Sequence, residues 1–265
     1  MVLQINETNI RKTVEDGERL DGRDFDEFRD ITIEPDYVHE TADGSAYVEM
    51  GDTKVIVGIS TETGDPYPDT PDAGAIITNA ELTRMAAPRY ESGPPGDEAT
   101  ELARLVDRGI RESGMLDLEE LIIEEGETCW MVFIDIHVID YDGNLIDAAS
   151  LGAVTALKLA DLPTYDEEEG TVDRDERQPL ETEGLPMTVT GSKIAGQILF
   201  DTTADEEDVR RARLTSTIKE DGNVVSMQKG EPEALSDDDV MEILRTSKEK
   251  GEMLREKVRD ALERA

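Results

Sequence analysis

The sequence predicts a globular fold that mixes strands and helices in two related parts, and three observations lead there. Apolar runs such as "MVFIDIHVI" (131–139) need an interior to occupy. Short extended segments alternate with longer stretches of helical periodicity. A series of strands followed by a helix occurs twice, before and after an acid-rich, apolar-poor segment at 164–184. The expected division is an N-terminal part (1–163), an acidic mobile loop or inserted hairpin tip (164–184) and a C-terminal part (185–265) ending in a long helix. A chain of 265 residues, 37% hydrophobic, buries a sizeable core as one large domain or two small ones.

The elements follow in order. "QINETNIRKTVEDG" (4–17) forms a short helix, and "RDITIEPDYV", "GSAYVEMG" and "TKVIVGISTET" read as a meander of strands. The prolines and glycines of "GDPYPDTPDAG" (64–74) forbid regular structure and mark a rigid loop. After the extended stretch "AIITNAELTRMAAP", a second Pro and Gly cluster, "ESGPPGDEAT" (91–100), starts a helix with Asp97 as expected N-cap and Thr100 and Glu101 in its first turn. Residues 128–163 read as a long buried strand, a turn at Asp142 and Gly143, and an alanine-rich helix over about 146–160. In the second part, "PMTVTG", "KIAGQILFD", "RLTSTIKEDG" and "NVVSMQKG" are strands, and Ser236 caps the amphipathic helix that runs from 237 to the end.

Charge is the strongest compositional signal. Asp and Glu number 64 against 27 Lys and Arg, a formal net charge of -37 spread along the whole chain. Such a surface suits molar salt, the halophilic reading: at a Debye length of about 3 Å the acids scarcely repel one another, while net charge opposes precipitation. A protein built to bind basic partners would instead concentrate its acids, which happens only weakly in 164–184. No run approaches the roughly 18 to 20 apolar residues of a membrane span, and the N-terminus lacks the build of a signal peptide, so the chain reads as soluble and cytoplasmic, with no membrane partner. Cys129, the single cysteine, makes no internal disulfide and reads as a buried strand residue; His137, in the same strand, reads as structural. No zinc spacing or carboxylate constellation stands out, so no metal or cofactor is assigned.

Against this acidity, "ELARLVDRGIRES" (101–113) is unusual. At about 100° per residue Arg104, Arg108 and Arg111 fall within a ~60° arc, opposite Leu102, Leu105, Val106 and Ile110. Two readings stand. In one, Asp107 pairs with Arg111 and Arg108 with Glu112, an ordinary salt-bridged surface. In the other the stripe holds phosphate, for which arginine's bidentate fork suits it better than lysine; Arg makes up 18 of the 27 basic residues.

Six stretches, "RLDGRDFDEFRDI", "GSAYVEMGDTKVIVGI", "PYPDTPDAG", "ESGPPGDEATELARLVDRGIRES", "CWMVFIDIHVIDYDGNLIDAASLGA" and "MQKG", together resemble the RNase PH family over most of the chain, on the side of its non-catalytic ring-forming members in archaea. The resemblance implies an α+β fold of two related βα subdomains. It also implies a place in an archaeal exosome: a hexameric ring of three heterodimers with an active RNase PH-like subunit, with RNA-binding cap subunits on top. Such a complex trims single-stranded RNA from its 3′ end by phosphorolysis.

Active members of the family carry a turn of the type Asp-Gly-Gly-Ser/Thr-Arg, whose hydroxyl and guanidinium hold and orient the attacking phosphate, a poor nucleophile otherwise. Here the turn is "DGNLID", with Leu145 and Ile146 at those two positions. The family's Gly-x-Ala-Asp, which supplies a candidate general acid, is replaced in "FDTTADEEDVRRARLTS" by Arg210, Arg211, Ala212 and Arg213, leaving Asp205 and Asp208 as the nearby acids. The resemblance therefore implies no catalytic residue in this chain and an RNA-backbone role for Arg104 and Arg108, with Arg111 a weaker member. Three functions stay open at this level: a non-catalytic RNA-contacting ring subunit, an autonomous phosphorolytic exoribonuclease using Asp205 or Asp208, and a purely structural ring protein. Aromatic residues, 4% of the chain, are too few for a base-stacking platform, so sequence-specific reading is not expected.

Overall fold

The computed structural model describes residues 2–90, 93–166 and 170–265, with side chains from residue 7 onward. Helix α1 (Val2–Glu15) precedes β1 (Ile31–Pro35), β2 (Gly44–Met50), β3 (Thr53–Gly64) and β4 (Ala75–Leu82). Then come α2 (Asp97–Ser113), a 3₁₀ turn (Glu119–Leu121), β5 (Ile122–Glu124), β6 (Thr128–Asp140) and α3 (Leu145–Lys158). The remainder comprises β7 (Asp161–Asp166), β8 (Thr171–Pro179), β9 (Met187–Ile194), β10 (Gln197–Phe200), α4 (Ala204–Val209), β11 (Ala212–Ile218), β12 (Val224–Gly230) and α5 (Asp237–Leu262).

These strands form a first sheet in the order β1-β2-β3-β6-β4, with β5 added to β6, and a second in the order β10-β9-β11-β12. β4 runs parallel to β6, whereas every pair in the second sheet is antiparallel. The burial patterns of β3 and β6 alternate as expected for one covered face, and their inward residues Val55, Val57, Ile59, Val132, Ile134 and Ile136 are essentially inaccessible. What covers them is a helical layer. α3 packs on β2 and β3 with one side and on β9 with the other, so it is apolar almost all round and its small side chains let both sheets approach. α2 lies against β4, β12 and α3, and α5 against β9, β11 and β1. A single apolar core therefore runs from one sheet through the helices to the other. Ile10 and Val14 of α1 join Ile194, Leu199 and Val209 in a smaller cluster beside the second sheet.

Two helices differ from the expectation at their ends. Helix α2 takes Gly96 as N-cap with no side-chain cap, and Asp97 is its first residue, where it and Glu98 face the positive helix end. The alanine-rich helix begins at Leu145 and ends at Lys158. Residues 161–179, overlapping the segment read as a mobile loop or inserted hairpin tip, form an antiparallel hairpin of β7 and β8; residues 167–169 lie outside the described residues. The hairpin is anchored by Leu162, Tyr165 and Val172 against the core and by two arginines: Arg177 Nη1 lies 2.7 Å from the buried Asp43 carboxylate and Arg174 donates to Thr61 O at 3.1 Å. Cys129 is buried in β6, while His137 is half-exposed beside Glu81 at 3.3 Å. Ser236 caps α5 in a capping box with Asp239. Among the described residues no helix is long and apolar enough to cross a membrane.

Candidate functional site

Helix α2 turns Leu102, Leu105, Val106 and Ile110 into the core, which leaves Arg104, Arg108 and Arg111 outside. Together with Thr78, Ala103, Asp107 and Glu112 they line an open groove of about 280 Å³. Their surroundings grade the three. Arg111 is committed: Nε and Nη2 donate to the two Asp107 oxygens at 3.2 and 3.0 Å, and Nη2 also to Ile76 O at 3.1 Å. Arg108 Nη1 donates to the neutral Oε1 of Gln228 at 3.1 Å, in place of the Glu112 pairing that spacing suggested. Arg104 is exposed and has no protein partner among the described residues. Among the described residues neither Arg104 nor Arg108 makes an ion pair on this face.

The second region is the turn between β6 and α3. Gly143 (φ 82°) and Asn144 (φ 53°) both take left-handed conformations, and a Cβ on Gly143 would lie 2.2 Å from Thr202 O. Only glycine fits there, and the tight turn aims Leu145 and Ile146 into a cavity of about 230 Å³ whose other walls include Arg210, Arg213, Asp208 and Glu101. The positions to which the resemblance assigns phosphate binding and the general acid therefore converge on one cavity. Their side chains are two aliphatic groups and two arginines. Both arginines are already paired: Arg210 with Glu207 at 2.9 Å and Glu231 at 2.8 Å, and the buried Arg213 with Glu101 of α2. Asp208 lines the cavity 3.9 Å from Arg89, and Asp205 is exposed in the first turn of α4. Among the described residues no group of three or more His, Cys, Asp or Glu side chains is placed to hold a metal ion.

What sequence reasoning missed is the polar seam joining the two halves. Arg19, 3% exposed, donates to the Glu206 carboxylate at 2.6 and 2.9 Å and to Phe200 O and Asp201 O at 3.1 and 2.9 Å. Arg29 and Arg23 bind the fully buried Asp201 at 2.7 and 2.9 Å, and Asn144 Nδ2 donates to it at 2.9 Å. Burial alone would raise the Asp201 carboxyl, yet the hydrogen bonds and charge of Arg29 outweigh it and hold the group below the usual carboxylate range. Asp147 of α3 accepts from Thr190 N–H and Oγ1 at 3.0 and 2.7 Å with no ion-pair partner among the described residues, and burial pushes its carboxyl up to about 7. The arginines of "RLDGRDFDEFRDI" were visible as a motif, but their buried partners Glu206 and Asp201 lie more than 170 residues away, where no spacing rule reaches. Through this seam the segment 19–29 and the turn at Asn144 are tied to the residues that follow β10.

Comparison with known proteins is consistent over the whole length. Residues 27–163 match domain 1 of the 3′ exoribonuclease family, RNase PH, and residues 184–250 match its domain 2. The chain is 46% identical to the exosome complex component Rrp42 of Methanocella arvoryzae over 258 residues, 97% of each protein. It is 46% identical to the component of the same name in Thermococcus kodakarensis, covering 100% of this chain and 98% of that one. Among solved structures, a chain of the Archaeoglobus fulgidus exosome with RNA bound to the active site superposes with a TM-score of 0.90 at 44% identity, over 97% of this chain and 98% of that chain.

Proposed function

The chain belongs to the RNase PH family of 3′ exoribonucleases, and from that premise we propose that it is a component of an archaeal exosome that binds RNA without performing the chemistry itself. In this reading it pairs with an active RNase PH-like subunit, three heterodimers close a hexameric ring, cap subunits bring RNA to it, and the assembly works in the cytoplasm. Residues 1–163 and 185–265 are the two family subdomains, joined by the acidic hairpin segment. The observation that carries the non-catalytic assignment is the cavity beside Leu145 and Ile146. Phosphorolysis needs oriented donors where phosphate attacks and an acid for the leaving oxygen; the aliphatic pair offers no donor, and Arg210 and Arg213 are cancelled by Glu207, Glu231 and Glu101. The chain's contribution is its α2 face. Arg104 and Arg108 contact the RNA backbone near the partner's site, while Arg111, held by Asp107, contributes least.

The test is phosphate-dependent release of nucleoside diphosphates from a short RNA, measured for this chain alone and together with its active-type partner. Release only from the mixture supports the proposal. Release from the chain alone overturns it and returns attention to Asp205 and Asp208.

A further inference from the structure

The basic face of α2 is completed from the other half of the molecule. The helix seats closely on the second sheet because Gly109 carries no side chain: a Cβ there would lie 2.9 Å from Thr217 Oγ1. Glu101, one turn before Arg104, reaches Arg213 of β11 and holds the N-terminal half of the helix to the same sheet. β12 is the terminal strand of that sheet, and its residues Ser226, Gln228 and Gly230 share one face by strand alternation. Two of them touch the neighbouring strand's side chains: Ser226 Oγ donates to Thr217 Oγ1 at 3.1 Å, and Gly230 makes room for the Arg213 guanidinium. The third, half-buried Gln228, accepts from Arg108 Nη1 at 3.1 Å.

The choice of partner matters chemically. Arg111 shows what a carboxylate does on this helix: Asp107 takes two guanidinium donors and cancels the charge. Gln228 takes one donor through a neutral oxygen, so Arg108 is oriented while its charge and its remaining N–H groups stay available.

We propose that Gln228 is a positioning residue for Arg108: it holds the guanidinium in the orientation that meets an RNA phosphate without neutralising it, so that the RNA face is built jointly by α2 and β12. The proposal rests on the reading that α2 contacts RNA. One net hydrogen bond spent on orientation corresponds to about fivefold in affinity.

The experiment is a double-mutant cycle on the assembled complex, with affinity for a labelled single-stranded oligoribonucleotide measured in phosphate-free buffer over a range of salt. Gln228→Ala is expected to weaken binding about fivefold when Arg108 is present and to leave it unchanged in the Arg108→Ala background. Gln228→Glu, of the same shape but charged, is expected to weaken binding further and to reduce the salt slope by about one phosphate contact, ~0.7 log units per log unit of salt. Equal weakening by Gln228→Ala in both backgrounds would mean that the residue acts on RNA or on the fold directly, and would overturn the positioning role. So would wild-type affinity for either Gln228 variant while Arg108→Ala is impaired. If Arg108→Ala itself binds normally, the RNA role of the face fails and the positioning role falls with it.

Discussion

Removing the α2 arginines one at a time should separate them by their surroundings. Each single-stranded phosphate neutralised by a protein cation contributes about 0.7 to the slope of log affinity against log salt. Among the described residues Arg104 has no protein partner and Arg108 only a neutral one, so each brings a whole charge to RNA; Arg111 already shares two hydrogen bonds with Asp107 and brings little. Arg104→Ala and Arg108→Ala should therefore each flatten the slope by ~0.7 and the double variant by ~1.4, with Arg111→Ala near zero. At fixed moderate salt each of the first two losses should cost about 1.5 kcal/mol, roughly tenfold, the low end for a charge-assisted bond because the groups are exposed and screened. The assay is fluorescence anisotropy of a labelled oligoribonucleotide on the assembled complex from low to molar salt, followed by its rate of degradation. All three side chains leave solvent rather than core, so thermal stability should hardly move. A wild-type slope and rate for the double variant, or an Arg111→Ala effect as large as that of Arg104→Ala, would refute the reasoning.

Asp147 offers a pH test of the seam. Its folded-state carboxyl sits at about 7 against an ordinary 3.8, so the native chain holds the proton more tightly, and the stability supplied by that proton is whole below about pH 4 and lost as pH rises through 7. Asn at 147 mimics the protonated acid towards Thr190, so the stability of Asp147→Asn relative to wild type should rise by about 2–3 kcal/mol between pH 5 and pH 8 in urea titrations; a pH-independent difference would count against a buried, unpaired carboxyl. Arg19→Met should cost about 3–5 kcal/mol by leaving Glu206 buried without its cation, and adding Glu206→Leu should recover much of the loss. A double variant no better than the single would show that the pair does more than compensate itself. Gly109→Ala should destabilise by about 1–3 kcal/mol despite alanine's better helix propensity, because Thr217, bonded to Thr188 and Ser226, cannot yield; calorimetry showing a higher Tm would refute that.

The strands, the helices and the order of the two parts were legible because they rest on local rules. Alternation exposed β2 and β3, the serine before 237 marked the start of α5, and the glycine after Asp142 marked the turn into α3. The hairpin at 161–179 was harder. Its outward strand is almost wholly polar, so periodicity had nothing to register, and its anchor, Asp43, lies more than 120 residues earlier. The arginine stripe was visible from helical geometry alone, as was the Asp107–Arg111 pair, since both depend on positions three or four apart. Gln228 was not, because a partner on another strand leaves no trace in spacing.

By itself the sequence determined which family this chain resembles, which helix carries the arginines, and which side chains stand where an active relative would bind phosphate, since all of these follow from residue identity and short-range periodicity. Tertiary structure decided how those pieces meet. Folding brought Leu145, Ile146 and Arg213 to one cavity, tied Arg213 to Glu101 of the arginine-bearing helix, and left Arg104 open while Asp107 closed off Arg111. The reason is that charge cancellation acts through space over a few ångströms, and only the packed chain sets those distances.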